Sequence, residues 1–186
     1  MTTSPTHVER PKLGEYKPYF DRYISLIPGN DILGTLEKQF SKTVALFAGR
    51  SEEEGTLRYA ADKWTAKEMV GHMVDTERIM AYRALRIARG DRTPLPGFEQ
   101  DDFVRGGPFA DLRLSGLVEE FKAVRATTLA FFRHLRVGDW TRRGTVDGHE
   151  ITVRALAYII AGHELHHRNI LEERYFASLP ARAEIA

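Results

Sequence analysis

The sequence predicts an all-α protein: a four-helix bundle with an N-terminal arm and a long crossover between its second and third helices. Three observations carry that prediction. Four separate segments of similar length place apolar residues three and four apart, the period of one helix face. No convincing run of alternating strand residues accompanies them. Each segment has a single apolar seam, and four such seams can be buried only against one another. The 186 residues, 42% of them hydrophobic, suit one domain, divided as an irregular arm at 1–29, a bundle at 30–176 and a tail at 177–186.

Pro5, Pro11, Pro18 and Pro28 interrupt the arm, with Tyr16, Tyr19, Phe20 and Tyr23 between them, which leaves room for one short helix around 19–26. Asn30 is placed to cap the first bundle helix, whose stripe is Leu33, Leu36, Phe40, Val44 and Phe47, and Gly49 to end it. Thr65 with Glu68 three residues later forms a capping box for the second helix. Its seam, Met69, Met73, Thr76, Met80, Ala84 and Ile87, continues toward Gly90. Pro94 and Pro96 flank Leu95 in the segment 91–109, which ends in Gly-Gly-Pro-Phe and reads as a crossover loop. Leu117, Phe121, Val124, Thr128, Phe131 and Leu135 define the third helix, with Ser115 as its expected cap and an end near Arg136. Residues 138–151 are turn-like, with room for a short hairpin, before Thr152 caps a fourth helix. That helix carries Val153, Leu156, Ile160, His163, His167, Ile170 and Arg174 along one face.

Composition excludes several function classes. The 27 Lys+Arg and 26 Asp+Glu are interspersed, so no basic stripe for nucleic acid is evident. The longest apolar run, 155–161, is far short of the roughly 20 residues that span a bilayer. The first residues lack the apolar core of a signal peptide, and a cytoplasmic location is expected. With no cysteine in the chain, thiolate catalysis by the protein itself, Cys-X-X-Cys redox chemistry and Cys-type zinc sites are excluded. A domain of this size builds a core without structural metal, so a bound metal would be functional and held by histidine and carboxylate.

Spacing selects the candidate ligands. His163 and His167 are four apart, one turn from each other on the same helix face, and that face is the buried seam. Two buried imidazoles must find partners for four ring nitrogens, and a metal answers one on each ring. Core histidines bonded to neighbouring side chains are the ordinary alternative. His72 changes the balance, because it lies on the inward side of the second helix and can complete a three-His set with an open fourth position. His166 is rotated away. The residues 163–167 also spell H-E-x-x-H, the zincin signature, with Glu164 in the place of the general base. The metzincin extension is absent, the third-ligand candidates Glu172, Glu173 and Glu184 crowd the C-terminus, and the expected strands are missing. Asp75, three residues after His72, is placed either to orient an imidazole and receive a proton or to pair with Arg78 or Arg154. Asp101 and Asp102, beside Phe98 and Phe103, are solvated or line a pocket mouth. His7, His134 and His149 show no joint spacing, and Trp64 and Trp140 are expected as core anchors.

The stretches 58–104, 119–135 and 152–175 resemble the DinB-like superfamily of four-helix-bundle proteins, and the resemblance covers nearly the whole chain. It rests on Trp64 before the second helix, His72 within it, the PLPGF loop at 94–98 and the H-x-x-x-H of His163 and His167. The resemblance implies a divalent metal, zinc or nickel, on His72, His163 and His167. It also implies an up-up-down-down-like bundle with a crossover at 90–114, and a homodimer. Such families include bacillithiol S-transferases, mycothiol-dependent maleylpyruvate isomerase and domains of ergothioneine biosynthesis enzymes, so a metal that activates a small thiol or a water is the shared logic. The expectation is therefore a metal-dependent enzyme acting on a small molecule. As a transferase it would direct an external thiol at an electrophilic carbon. As a hydrolase it would activate water, with Glu164 or Asp75 moving the proton. A non-enzymatic small-molecule binding module and a dimeric interaction protein stay open as alternatives.

Overall fold

Thr65 and Glu68 close the predicted capping box: the Thr65 hydroxyl accepts the Glu68 N–H, and the Glu68 carboxylate accepts the Thr65 N–H at 2.6 Å. The computed structural model describes residues 7–177 and 179. Its helices are α1 (Asp21–Ile24), α2 (Ile32–Phe47), α3 (Glu52–Gly55), α4 (Ala66–Ala88), α5 (Gln100–Gly106), α6 (Leu114–Arg133) and α7 (Val153–Ile170). A π-type turn, Leu171–Tyr175, extends the last, and two strands, β1 (Arg143–Val146) and β2 (His149–Thr152), precede it. Glu184 lies outside the described residues, as does most of the tail. No helix among the described residues is long and apolar enough to cross a membrane.

The long helices α2, α4, α6 and α7 form the expected bundle. α4 packs on α6 and α7, and α2 packs on the same two, so α2 and α4 are diagonal to each other, as are α6 and α7. Direction follows from which residues meet. α2 and α6 are antiparallel, since Glu37 pairs with Arg133 while Phe40 meets Phe121. Glu52 bridges the starts of α4 and α6 by pairing with Lys67 and accepting the Leu114 N–H, and near their ends Arg89 lies over Phe131, so these two are parallel. The Tyr175 hydroxyl reaches the Trp64 carbonyl beyond the end of α7, which sets α7 antiparallel to α4. The order is therefore up-down-down-up, a correction to the up-up-down-down arrangement. Parallel neighbours α4 and α6 are what make the long crossover obligatory.

Three local expectations change. Asp31, not Asn30, caps α2 by accepting the Gly34 N–H at 2.9 Å, because Asn30 still belongs to the turn that Gly29 makes at φ 75°. Ser115 lies inside α6, whose first N–H is taken by both Glu52 carboxylate oxygens from α3. The crossover is not all loop, since α5 turns within it and buries Val104. The hairpin is present: Asp147 and Gly148, at φ 50° and 72°, make its two-residue turn, and Val146 pairs with His149. Leu95 joins β1 through Leu95 N to Thr145 O and Asp147 N to Leu95 O, which lays the 94–98 loop along the hairpin. Thr152 caps α7 as expected.

The arm is tied down throughout its described part. The Glu15 carboxylate takes a two-pronged bond from Arg154 and a third from the Thr152 hydroxyl, while Tyr158 donates to the Val8 and Gly29 carbonyls. Gly162 lets α1 sit directly on α7, because a Cβ there would collide with the Tyr23 carbonyl oxygen. The apolar core falls into two clusters. One holds Leu36, Met80, Phe132 and Ile159, the other Phe47, Met73, Phe121 and Leu171. A layer of buried polar residues lies between them.

Candidate metal centre

That layer contains all three predicted ligands. His72 comes from α4 and His163 and His167 from α7, and all are buried. His72 Nε2 lies 2.9 Å from His163 Nε2, which lies 3.1 Å from His167 Nε2, and the three donor atoms fall within 4.8 Å of one another. Burial lowers the His72 imidazole to about 4 and pushes those of His163 and His167 well below the ordinary imidazole value, with neighbouring imidazoles adding to the effect there. At neutral pH each ring is uncharged and keeps one lone pair.

Three converging neutral nitrogens cannot all satisfy one another, because His163 Nε2 faces two partners and has either one proton or one lone pair to offer. The Nδ1 of His167 is buried with no partner among the described residues, so none of them fixes its tautomer from the far side. A divalent ion fits these residues. Two nitrogens bound to one ion at about 2.0–2.1 Å, with bond angles between right-angled and tetrahedral, lie roughly 2.9–3.4 Å apart, close to the two contacts observed.

Aromatic rings hold the imidazoles from outside. Trp64 packs on His72 with centroids 4.7 Å apart, so the predicted core anchor is also a wall of the centre. Tyr23 meets His163 edge-on at 5.3 Å and His166 at 5.4 Å. His166 is half-buried and outside the cluster. Trp140 stacks on Phe132 in the core.

Glu164 and Asp75 are placed differently from the imidazoles, and neither belongs to the cluster of converging donors. Glu164 Oε1 accepts from the Thr43 hydroxyl at 2.6 Å, and its Oε2 accepts from Arg125 Nη1 at 2.7 Å. Arg125, fully buried on α6, also grips both oxygens of Glu77 at 2.7 and 2.8 Å and donates to the Leu36 carbonyl. One guanidinium thus joins all four bundle helices. Burial pushes Arg125 toward neutrality, but the two carboxylates outweigh it and keep the guanidinium charged. Burial raises the Glu164 carboxyl against the pull of Arg125 and Thr43. Asp75 lies 3.6 Å from Arg78, and burial raises its carboxyl too. Arg154, the other suggested partner for Asp75, is taken by Glu15.

A cavity of about 320 Å³ opens onto the centre, with His72 and His163 in its lining. Its walls come from α1, α4, α7, the hairpin and the 97–101 stretch of the crossover, so Asp101 does line a pocket mouth. Tyr23, read only as part of the arm, His149, set aside for want of joint spacing, and Arg83, not singled out, also line it, and the Glu77–Arg125 pair was missed as well. A signal existed for that pair: Arg125 is four residues after Phe121 and Glu77 four after Met73, so both fall on buried stripes.

Comparison with known proteins fits this picture. The solved structure of YfiT from Bacillus subtilis matches with a TM-score of 0.65 at 16% sequence identity, over 91% of this chain and 96% of that one. It is described as "a probable metal-dependent hydrolase with an unusual four-helix bundle topology". At that identity the match shows the fold. A search of curated proteins gives no match. A family profile described as the DinB superfamily matches residues 35–171, from α2 to the end of α7 and with all three histidines inside it, and the chain belongs to that superfamily.

Proposed function

We propose that this protein is a divalent-metal-dependent enzyme that holds zinc or nickel on His72, His163 and His167 and activates a small nucleophile at the cavity. The observation that carries the proposal is the convergence of three neutral ring nitrogens, with contacts of 2.9 and 3.1 Å, beside a space large enough for a small molecule. A divalent ion held there would supply Lewis-acid chemistry, lowering the pKa of a thiol or water at a remaining coordination position. The chain's own residues do the rest. Burial keeps a lone pair on each imidazole, and Trp64 and Tyr23 pack against the rings of His72 and His163 and limit their rotation. Phe98, Ile151 and Ile159 give the cavity an apolar wall for the organic part of a substrate.

An external thiol is the nucleophile we favour. Both Glu164 oxygens are already bonded and Asp75 lies beside Arg78, so neither stands ready as a base at the ring nitrogens. A thiol, with an ordinary pKa of about 8.5, loses its proton with far less help than water does. The proton leaves to solvent, the sulfur forms a bond to an electrophilic carbon, and the leaving group departs with its electron pair. We assign Glu164 a positioning role, through its grip on Arg125 and Thr43, and Asp75 a place in the surface pairing of α4. Hydrolysis is the second reading, favoured by the description of YfiT. The homodimer that the resemblance implies belongs to the same proposal and is tested by sedimentation.

The test incubates zinc-loaded protein with chlorodinitrobenzene and a panel of low-molecular-weight thiols, and separately with nitrophenyl acetate alone. Thiol-dependent conjugation that is lost with a chelator and in His163→Ala is the expected result. Ester hydrolysis with the same dependence would move the assignment to water. Neither activity across both screens would overturn the enzymatic reading and leave a binding module.

A further inference from the structure

Arg83 lines the same cavity as His72 and His163, yet it is only 4% exposed. His72, Thr76, Met80 and Arg83 follow one another at four-, four- and three-residue spacing, which places them on one face of α4. The Arg83 guanidinium donates through Nη2 to the Pro96 carbonyl at 2.6 Å and reaches the Met80 sulfur with Nη1 at 3.5 Å. The Phe98 ring lies 5.5 Å from its central carbon. Among the described residues no carboxylate forms an ion pair with it. The carboxylate whose field reaches it, Asp147, is bound to Lys17 at 2.9 Å. Arg125 and Arg154, by contrast, are each matched by a buried glutamate. A buried guanidinium with a carbonyl, a thioether and a ring for company is under-compensated, and the open side of its surroundings is the cavity.

We propose that Arg83 binds the carboxylate of an elongated, singly charged small molecule whose other end reaches the three imidazoles. The proposal rests on the metal-enzyme reading only for what happens at that other end. Two features define the ligand class. Arg83 is eleven residues from His72, about 16 Å along the helix axis, so a molecule touching both ends carries its anionic group many bonds from its reacting atom. Met80 and Phe98 between and beside them favour an apolar middle. The rim already carries Glu99, Asp101 and Glu150, so the lining has one unanswered buried cation and disfavours a second negative charge. A carboxylate meets that requirement and pairs with the planar guanidinium fork, whereas a phosphate monoester brings surplus charge.

The test is calorimetric titration at neutral pH with hexanoate, octanoate and decanoate, each beside its neutral amide, and with octyl phosphate. The proteins are zinc-loaded and metal-free wild type, His163→Ala, Arg83→Met and Arg83→Lys. The expected result is that at least one carboxylate binds wild type about tenfold or more tightly than its amide and more tightly than octyl phosphate. Arg83→Met abolishes that preference and Arg83→Lys keeps part of it. The preference persists in metal-free protein and in His163→Ala, so failure of the metal reading leaves it standing. Equal binding of carboxylate and amide, no binding of any carboxylate, survival of the preference in Arg83→Met, or tighter binding of octyl phosphate would each overturn it. If circular dichroism shows that Arg83→Met is unfolded, the wild-type contrast and Arg83→Lys decide. A residue that merely pins the Pro96 loop would change stability without changing the preference for charge.

Discussion

Burial disfavours charge throughout the polar layer, with two opposite outcomes. It strips the proton from His72, His163 and His167, which suits them to a cation, while in the same layer Arg125 stays charged because Glu77 and Glu164 surround it. Removing one partner from such a group leaves the others stranded. Arg125→Met is expected to destabilise the protein by about 3–5 kcal/mol in denaturant unfolding, since two buried carboxylates lose their counter-charge. Glu164→Gln tests the positioning role more gently. It is expected to cost about 1–3 kcal/mol, to retain the metal and to keep most activity, whereas a general base would take nearly all turnover with it. The histidine trio was legible in the sequence because four-residue spacing and seam position are local facts. Arg125 and Glu77 carried the stripe spacing too but were passed over, and Arg83 with them, because a charged residue ordinarily marks the solvated face and only the assembled bundle shows what surrounds it.

At the scale of elements, the centre depends on close approach. Gly162→Ala would drive a methyl group into the Tyr23 backbone, displacing α1 from α7 and loosening the edge contact of Tyr23 on His163. A loss of about 1–3 kcal/mol in thermal unfolding, with weakened metal retention, is the expected outcome. The four long helices were legible from seam and cap together, most clearly where Thr65 and Glu68 are neighbours in sequence. The start of α6 was misread because its cap, Glu52, lies 62 residues away, and no local pattern encodes that. The seven-residue α5, with one buried residue, is too short to impose a period. Helix directions were also beyond sequence reading, since they are fixed by pairings such as Glu37 with Arg133 across the bundle.

For the molecule as a whole, the arm closes one side of the cavity and is held by Glu15. Burial pushes the Glu15 carboxyl up, but the bonds from Arg154, Thr152 and the Lys12 N–H outweigh it and hold it at about 2 against an ordinary 4.5. The folded value lies below the unfolded one, so this stabilisation is complete above 4.5 and is lost as the pH falls toward 2. Its full size is up to about 3 kcal/mol, and Glu15→Gln should lose the corresponding part of the acid dependence of unfolding while the rest of the profile is unchanged.

The central claim is that three histidines from two helices form one metal site, and metal content reads it most directly. Untagged protein purified without a metal column, since resin metal can load an open site, would be measured by elemental analysis beside His163→Ala. Near-stoichiometric zinc or nickel in the wild type, lost in the variant, is the predicted result. Wild-type protein that stays metal-free after controlled addition of both ions would contradict it.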